Sequence, residues 1–169
     1  YVGYEFETKG FDVSFKGIID GFEDLGRDLI CKREKQTVIV QCKMWAHYKT
    51  VYEKHIFQFF GTVFQYKDEH PYEHVEAQFF TTTKLSELAR KFSKALGITL
   101  REGHEFEKNY PCIKCNVSEV TGEKIYHLPF DQQYDKVKIR NPGEFYCRKV
   151  EEAEDSGFRR AFRYRGKQD

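Results

Sequence analysis

The sequence contains no run of about 18 apolar residues, the length a membrane-spanning helix needs, so no span is expected. Its opening, YVGYEFETKG, lacks the charged start and apolar stretch of a signal peptide. An excess of one charge is also missing: 28 Lys and Arg against 27 Asp and Glu give a formal net charge of +1. No global basic field can then gather a polyanion, and any nucleic acid must be held by a local patch. Cysteines are few and odd in number, five in 169 residues. A chain of this length can bury a core without covalent staples, so free thiols in a reducing cytoplasm are expected. There is no internal repeat and no low-complexity tract.

Aromatic residues are abundant: 17%, with 16 Phe and 11 Tyr against a single Trp. Their spacing organises the chain. YVGYEFETKG reads as the end of a helix closed at Gly10, and residues 11–18 alternate Phe11, Val13 and Phe15 with polar neighbours, as a strand does. Strands are expected at 27–31 and 37–43, joined by the four-residue turn REKQ. A helix is expected over 52–67, with Ile56, Phe59, Phe60 and Val63 on one face. EAQFFTTT is a further strand. KLSELARKFSKALG then sets Leu85, Leu88, Phe92, Ala95 and Leu96 on one helical side, and ITL follows as a short strand. Strand–helix–strand implies a parallel pair with a right-handed crossover. The fold class expected is α/β, a mixed sheet flanked by helices, with a small α+β C-terminal unit. Dense charge and Pro111 in REGHEFEKNYP mark the boundary, giving units 1–106 and 107–169.

The stretch GRDLICKREKQTVIVQCK concentrates the chemistry. A four-residue loop pairs Lys32 with Thr37, Ile30 with Ile39 and Asp28 with Gln41, and directly opposed residues share a face. One face then carries Asp28, Gln41 and Lys43 beyond Ile30 and Ile39. The other carries Leu29, Cys31, Val38, Val40 and Cys42. Asp28 could bind a hard cation such as Mg²⁺ through oxygen, with the Gln41 side chain or the Cys42 backbone carbonyl adding a neutral oxygen. Lys43 could orient an attacking water or offset developing negative charge. The same residues could equally form a buried Asp–Lys pair that fixes the hairpin.

EDLGRDLI, a short hairpin and IVQCKMW together resemble the core of the PD-(D/E)XK nucleases, in particular the Mrr-like restriction endonuclease branch. That branch reads D-x-G-x-D-L-I before Q-x-K. Asp24, Gly26 and Asp28 match the first part, Gln41 and Lys43 the second, over a resemblance spanning residues 1–101. The resemblance implies hydrolysis of DNA phosphodiester bonds with Mg²⁺ or Mn²⁺ in restriction, defence or DNA processing. It makes Asp28 and Gln41 metal ligands and Lys43 the catalytic lysine. Most of the superfamily has an acid where Gln41 stands, which leaves a non-catalytic nucleic-acid-binding module as the alternative. The branch also places a glutamate on its first helix, for which Glu5 and Glu7 are candidates.

Asp24, His55 and Gln58 could support the site; Glu23 is read as a solvated loop acid. Trp45, Tyr48 and Tyr52 interleave with Lys43, Lys49 and Lys54, a pattern that suits a nucleic-acid backbone or, equally, loop packing. Arg159, Arg160, Arg163 and Arg165, with Lys167, could contact phosphates or answer the acids Glu151, Glu152, Glu154 and Asp155. Cys112 and Cys115 form a single CxxC, short of the four ligands of a zinc ribbon. Residues 124–161 are similar to a small Ada-like metal-binding module, but Asp131 replaces its cysteine, so zinc is not expected. Cutting both strands of DNA would call for two active sites, which a homodimer would supply.

Overall fold

A computed structural model describes residues 1–16 and 26–162. They form two compact units, Val2–Phe106 and a second from Glu107 onward that includes Tyr1. Among the described residues no helix is long and apolar enough to cross a membrane.

In the first unit α1 (Val2–Glu7) leads to β1 (Asp12–Phe15), β2 (Leu29–Arg33) and β3 (Gln36–Lys43). After β4 (Thr50–Val51) come α2 (Glu53–Glu69), β5 (His74–Thr81), β6 (Lys84–Leu85), α3 (Glu87–Ala95) and β7 (Ile98–Arg101). The main sheet has the order β1-β2-β3-β5-β7. β1, β2 and β3 are antiparallel neighbours, while β3, β5 and β7 run parallel. The result is a mixed α/β sheet flanked by helices.

The β2–β3 hairpin has the register an even count of residues across the turn requires, Ile30 opposite Ile39 and Lys32 opposite Thr37. Arg33 and Gln36 join the ladder, so the turn tightens to Glu34 and Lys35, with Glu34 left-handed at φ 52°. A one-residue slip would turn every side chain to the wrong face. Ile30, Ile39, Ala77, Phe79 and Ile98 pack against Ile56, Phe59, Val63 and Tyr66 of α2 and Ala89 of α3. Leu29, Cys31, Val38, Val40 and Phe80 pack on the reverse face against Val13, Phe11 and Phe6 of α1. Helices on both faces explain why β3 reads as an unbroken apolar run.

Helix α3 departs from the expected face. Lys84 and Leu85 pair with Thr50 and Val51 as a short parallel ribbon. Ser86 then caps the helix, its Oγ accepting from Ala89 N at 3.1 Å. Starting at Glu87 rather than Lys84, the helix buries Ala89 and Ser93 and leaves Leu88 48% exposed.

At the amino end of β3, Glu73 ties three elements together. Its carboxylate accepts from Lys32 Nζ at 2.8 Å, Thr37 Oγ1 at 2.7 Å and Tyr66 Oη at 3.0 Å. These bonds, the lysine's first, hold its pKa down at about 2. A depressed acid stabilises the fold fully above its unfolded pKa of about 4.3, and that stability fades as pH falls toward 2. Glu73→Gln should therefore cost about 1 kcal/mol at pH 7, a value already discounted for solvent screening. The cost should shrink through pH 4 to 2, as read by denaturant melts.

The second unit pairs β8 (Ile113–Val117), β9 (Lys124–His127), β10 (Phe145–Cys147) and β11 (Arg159–Arg160) in the order β10-β8-β9-β11, with α4 (Val150–Asp155) between the last two. Its core holds Cys115 and Cys147, whose Sγ atoms lie 3.6 Å apart, with Ile113, Tyr126, Ala153 and Phe158. All five cysteines are free thiols.

Candidate active site at the carboxyl end of the parallel strands

The ladder between β2 and β3 stops at Leu29–Val40. Asp28 N–H donates to Val40 O at 3.0 Å, and Asp28 O accepts from Lys16 N at 2.9 Å. Asp28 is thus not paired with Gln41 through the backbone, as continued alternation would have it. Its side chain makes the connection instead: Oδ2 accepts from Gln41 Nε2 at 2.9 Å and from Cys42 N at 2.6 Å. Bonds of this kind to an ionised oxygen are short and strong. The Cys42 carbonyl opens on the same side as its N–H, where β2 has already ended.

Gln41 is 9% exposed, tolerable for an amide whose N–H is satisfied. Gly26 lies over it at φ +74°. A Cβ there would come 3.1 Å from Gln41 Oε1 and 3.9 Å from Gln58 Nε2, so these three residues converge. Gly26→Ala should cost about 1–2 kcal/mol in backbone strain and displace the Gln41 amide. Denaturant melts would measure the loss, and wild-type stability would refute the constraint.

Lys43 is half-buried, with Nζ 5.5 Å from the centre of the Trp45 ring. Lys49 Nζ is 5.9 Å from the same ring, and His55, in the first turn of α2, meets it edge-on at 5.0 Å. Burial, then the Lys43 and Lys54 charges, push the His55 imidazole below its ordinary range. The Cys42 thiol is pushed up to about 12 by burial, then by Asp28, with Glu5 adding to the effect. It stays protonated and is no nucleophile at neutral pH.

The threonines closing β5 were not among the expected site residues, yet they hold the segment after Lys43. Thr81 Oγ1 donates to Lys43 O at 2.9 Å. Thr82 Oγ1 accepts from Trp45 N at 2.9 Å and donates to Trp45 O at 2.6 Å. Thr83 Oγ1 reaches the carbonyls of His47, at 3.2 Å, and Lys49. The signal was TTT at a strand end, where hydroxyls compete for nearby backbone.

The remaining candidates are scattered. Lys49 and Lys54 are exposed, and Tyr48 is 84% exposed; Gln58, though exposed, reaches toward Gly26 beside Gln41. Glu5 sets its carboxylate 3.3 Å from His104 Nε2, and Glu7 is half-buried on α1. Thr62 is buried, with its hydroxyl donating to Phe59 O at 2.8 Å. In the second unit Arg159 binds Glu123 at 2.8 Å and Arg160 binds Asp131 at 2.5 Å, rather than the acids of 151–155. His127 Nε2 lies 3.0 Å from Asn116 Oδ1. Asp24, Glu23, Arg163, Arg165 and Lys167 lie outside the described residues. Among the described residues no group of three or more His, Cys, Asp or Glu is disposed to hold a metal ion.

The first unit is a helix-flanked mixed sheet whose central strand ends at the bonded Asp28 and Gln41 side chains. Residues 1–109 match the profile of the Mrr_cat family, described as restriction endonuclease. The chain belongs to that family. No curated protein matches it. Among solved structures it is similar to a protein of unknown function, AF1548, at 21% identity and a TM-score of 0.48, covering 59% of this chain and 53% of that one. It is also similar to a repair endonuclease from Pyrococcus abyssi, at 19% identity and a TM-score of 0.38, covering 45% of this chain and 31% of that one. The chain thus spans about half the length of the first and a third of the second. Neither likeness assigns an activity.

Proposed function

We propose that the first unit is a divalent-metal-dependent DNA endonuclease, acting in restriction, defence or DNA processing. The observation that carries this reading is the Asp28 carboxylate, held by both the Gln41 side chain and the Cys42 backbone, the residue before Lys43. Asp28, Gln41 Oε1 and the Cys42 carbonyl form an all-oxygen donor set, the chemistry Mg²⁺ and Mn²⁺ accept. Such a cation, when bound, lowers the pKa of a water and offsets charge on a phosphoryl oxygen.

The chain's own residues do the rest. Two hydrogen bonds on Oδ2 fix the Asp28 carboxylate, so it need not reorganise as charge develops. Lys43, beside Trp45 and just ahead of a backbone locked by Thr81 and Thr82, presents a cation to the scissile phosphate or orients the attacking water. His55, edge-on to the same Trp45 ring, borders this cation. Lys49 and exposed Tyr48 offer charge and an aromatic face to a nucleic-acid backbone.

A non-catalytic DNA-binding module that keeps this fold is the second reading, favoured by the uncharged Gln41. Incubating supercoiled plasmid with Mg²⁺, Mn²⁺ or EDTA separates the two. Nicking that needs the metal supports the endonuclease; salt-sensitive binding with no cleavage in either metal supports the module.

A further inference from the structure

A helix packed on a sheet should turn polar residues outward. Helix α2 does so only in part. Ile56, Phe59, Thr62, Val63 and Tyr66 form its buried face. The opposite stripe, at helical spacings of three and four, carries Lys54, Phe57, Gly61, Phe64 and Asp68, all exposed. Phe57 and Phe64 are 45% and 62% exposed, and neighbouring Leu88 and Phe92 of α3 widen the apolar patch.

Gly61 is the odd residue of that stripe. A Cβ there would meet nothing within 4 Å, so no contact within the chain requires a glycine. Mid-helix it nonetheless weakens α2 relative to alanine. Absence of a side chain between two exposed rings has a use if another backbone approaches closely there.

The charges say which backbone. Lys54 precedes Gly61 by seven residues and Asp68 follows it by seven, two turns to either side on the same stripe. Among the described residues neither makes an ion pair. Two α2 helices crossing antiparallel at Gly61 would set each Lys54 against the partner's Asp68, with Phe57 and Phe64 interleaved. A parallel crossing would set like charge against like. We propose that the outer stripe of α2 is an isologous interface for a second copy of this chain. The proposal does not depend on nuclease activity.

Light scattering and sedimentation velocity of the full chain, from about 1 to 100 μM, should show association to twice the 20.2 kDa chain mass. Phe64→Glu should weaken it about 30-fold or more, as loss of a central interface aromatic does. Gly61→Glu should do likewise while keeping its helical circular dichroism, which covers the case in which the Phe64 variant fails to fold. Lys54→Glu should weaken association, and adding Asp68→Lys should restore it. A wild-type monomer throughout the range would overturn the proposal. So would a dimer indifferent to Gly61→Glu, and failure of the double charge reversal to restore association would overturn the antiparallel pairing.

Discussion

Asp28→Asn is expected to slow metal-dependent plasmid nicking by about a thousandfold, while DNA affinity changes only a few-fold. Asparagine keeps an oxygen that can accept from Gln41 Nε2 and Cys42 N, so the strand end should hold its shape. What it loses is the charge. A neutral amide beside the neutral Gln41 amide leaves no anionic oxygen in the proposed donor set, and hard cations bind by charge as well as by oxygen count. Lys43→Ala is a companion with a different signature: the proposed donor set is intact, and the cation proposed to face the phosphate is gone. Single-turnover nicking rates and filter-binding affinities, measured side by side, distinguish the two losses. An Asn variant that cuts as fast as wild type would remove Asp28 from the chemistry.

Gln41→Glu has the second large effect, and its sign depends on the metal. Without divalent cation the change removes the Nε2 donor and sets a second carboxylate where that donor stood, 2.9 Å from Asp28 Oδ2. Stability should fall by about 2–3 kcal/mol, the cost of losing a hydrogen bond to a charged group, with like-charge repulsion adding to it. Two carboxylates this close raise one another's pKa. A raised acid pKa makes the penalty largest above that pKa and relieves it as pH falls and one carboxyl protonates. With Mg²⁺ or Mn²⁺ present the second anion becomes an asset. The metal-induced rise in melting temperature should then exceed that of wild type. Melts across pH, with EDTA or metal, test both halves. A variant as stable as wild type in EDTA would mean that the Asp28–Gln41 contact carries little energy.

Both experiments turn on a pair of side chains that hairpin parity brings into contact. Between Ile30 and Ile39 the chain has an even number of residues, so a turn closing midway sets the two directly opposite each other. That arithmetic put Asp28 and Gln41 near each other before any geometry was known. It did not foresee that the ladder would end one pair early. The Asp28 amide turns to Val40 O, and the carboxylate crosses to Gln41 and to Cys42 N. Hydrogen bonds from a side chain to distant backbone leave no periodic trace in a sequence.

The same limit explains α3 and the threonines. Leu85 has the spacing of a helical core residue, but its pairing partner Val51 lies 34 positions upstream and draws it into a strand. Thr81, Thr82 and Thr83 read as the tail of a strand; only the parallel alignment of β5 with β3 brings their hydroxyls to the backbone after Lys43. Local spacing and chain parity, intrinsic to the sequence, therefore determined the element types, the hairpin register and the meeting of acid and amide. Tertiary structure decided where the ladder stops, which face α3 buries and what holds Lys43. These depend on contacts between residues far apart in the chain, whose energies no local pattern encodes.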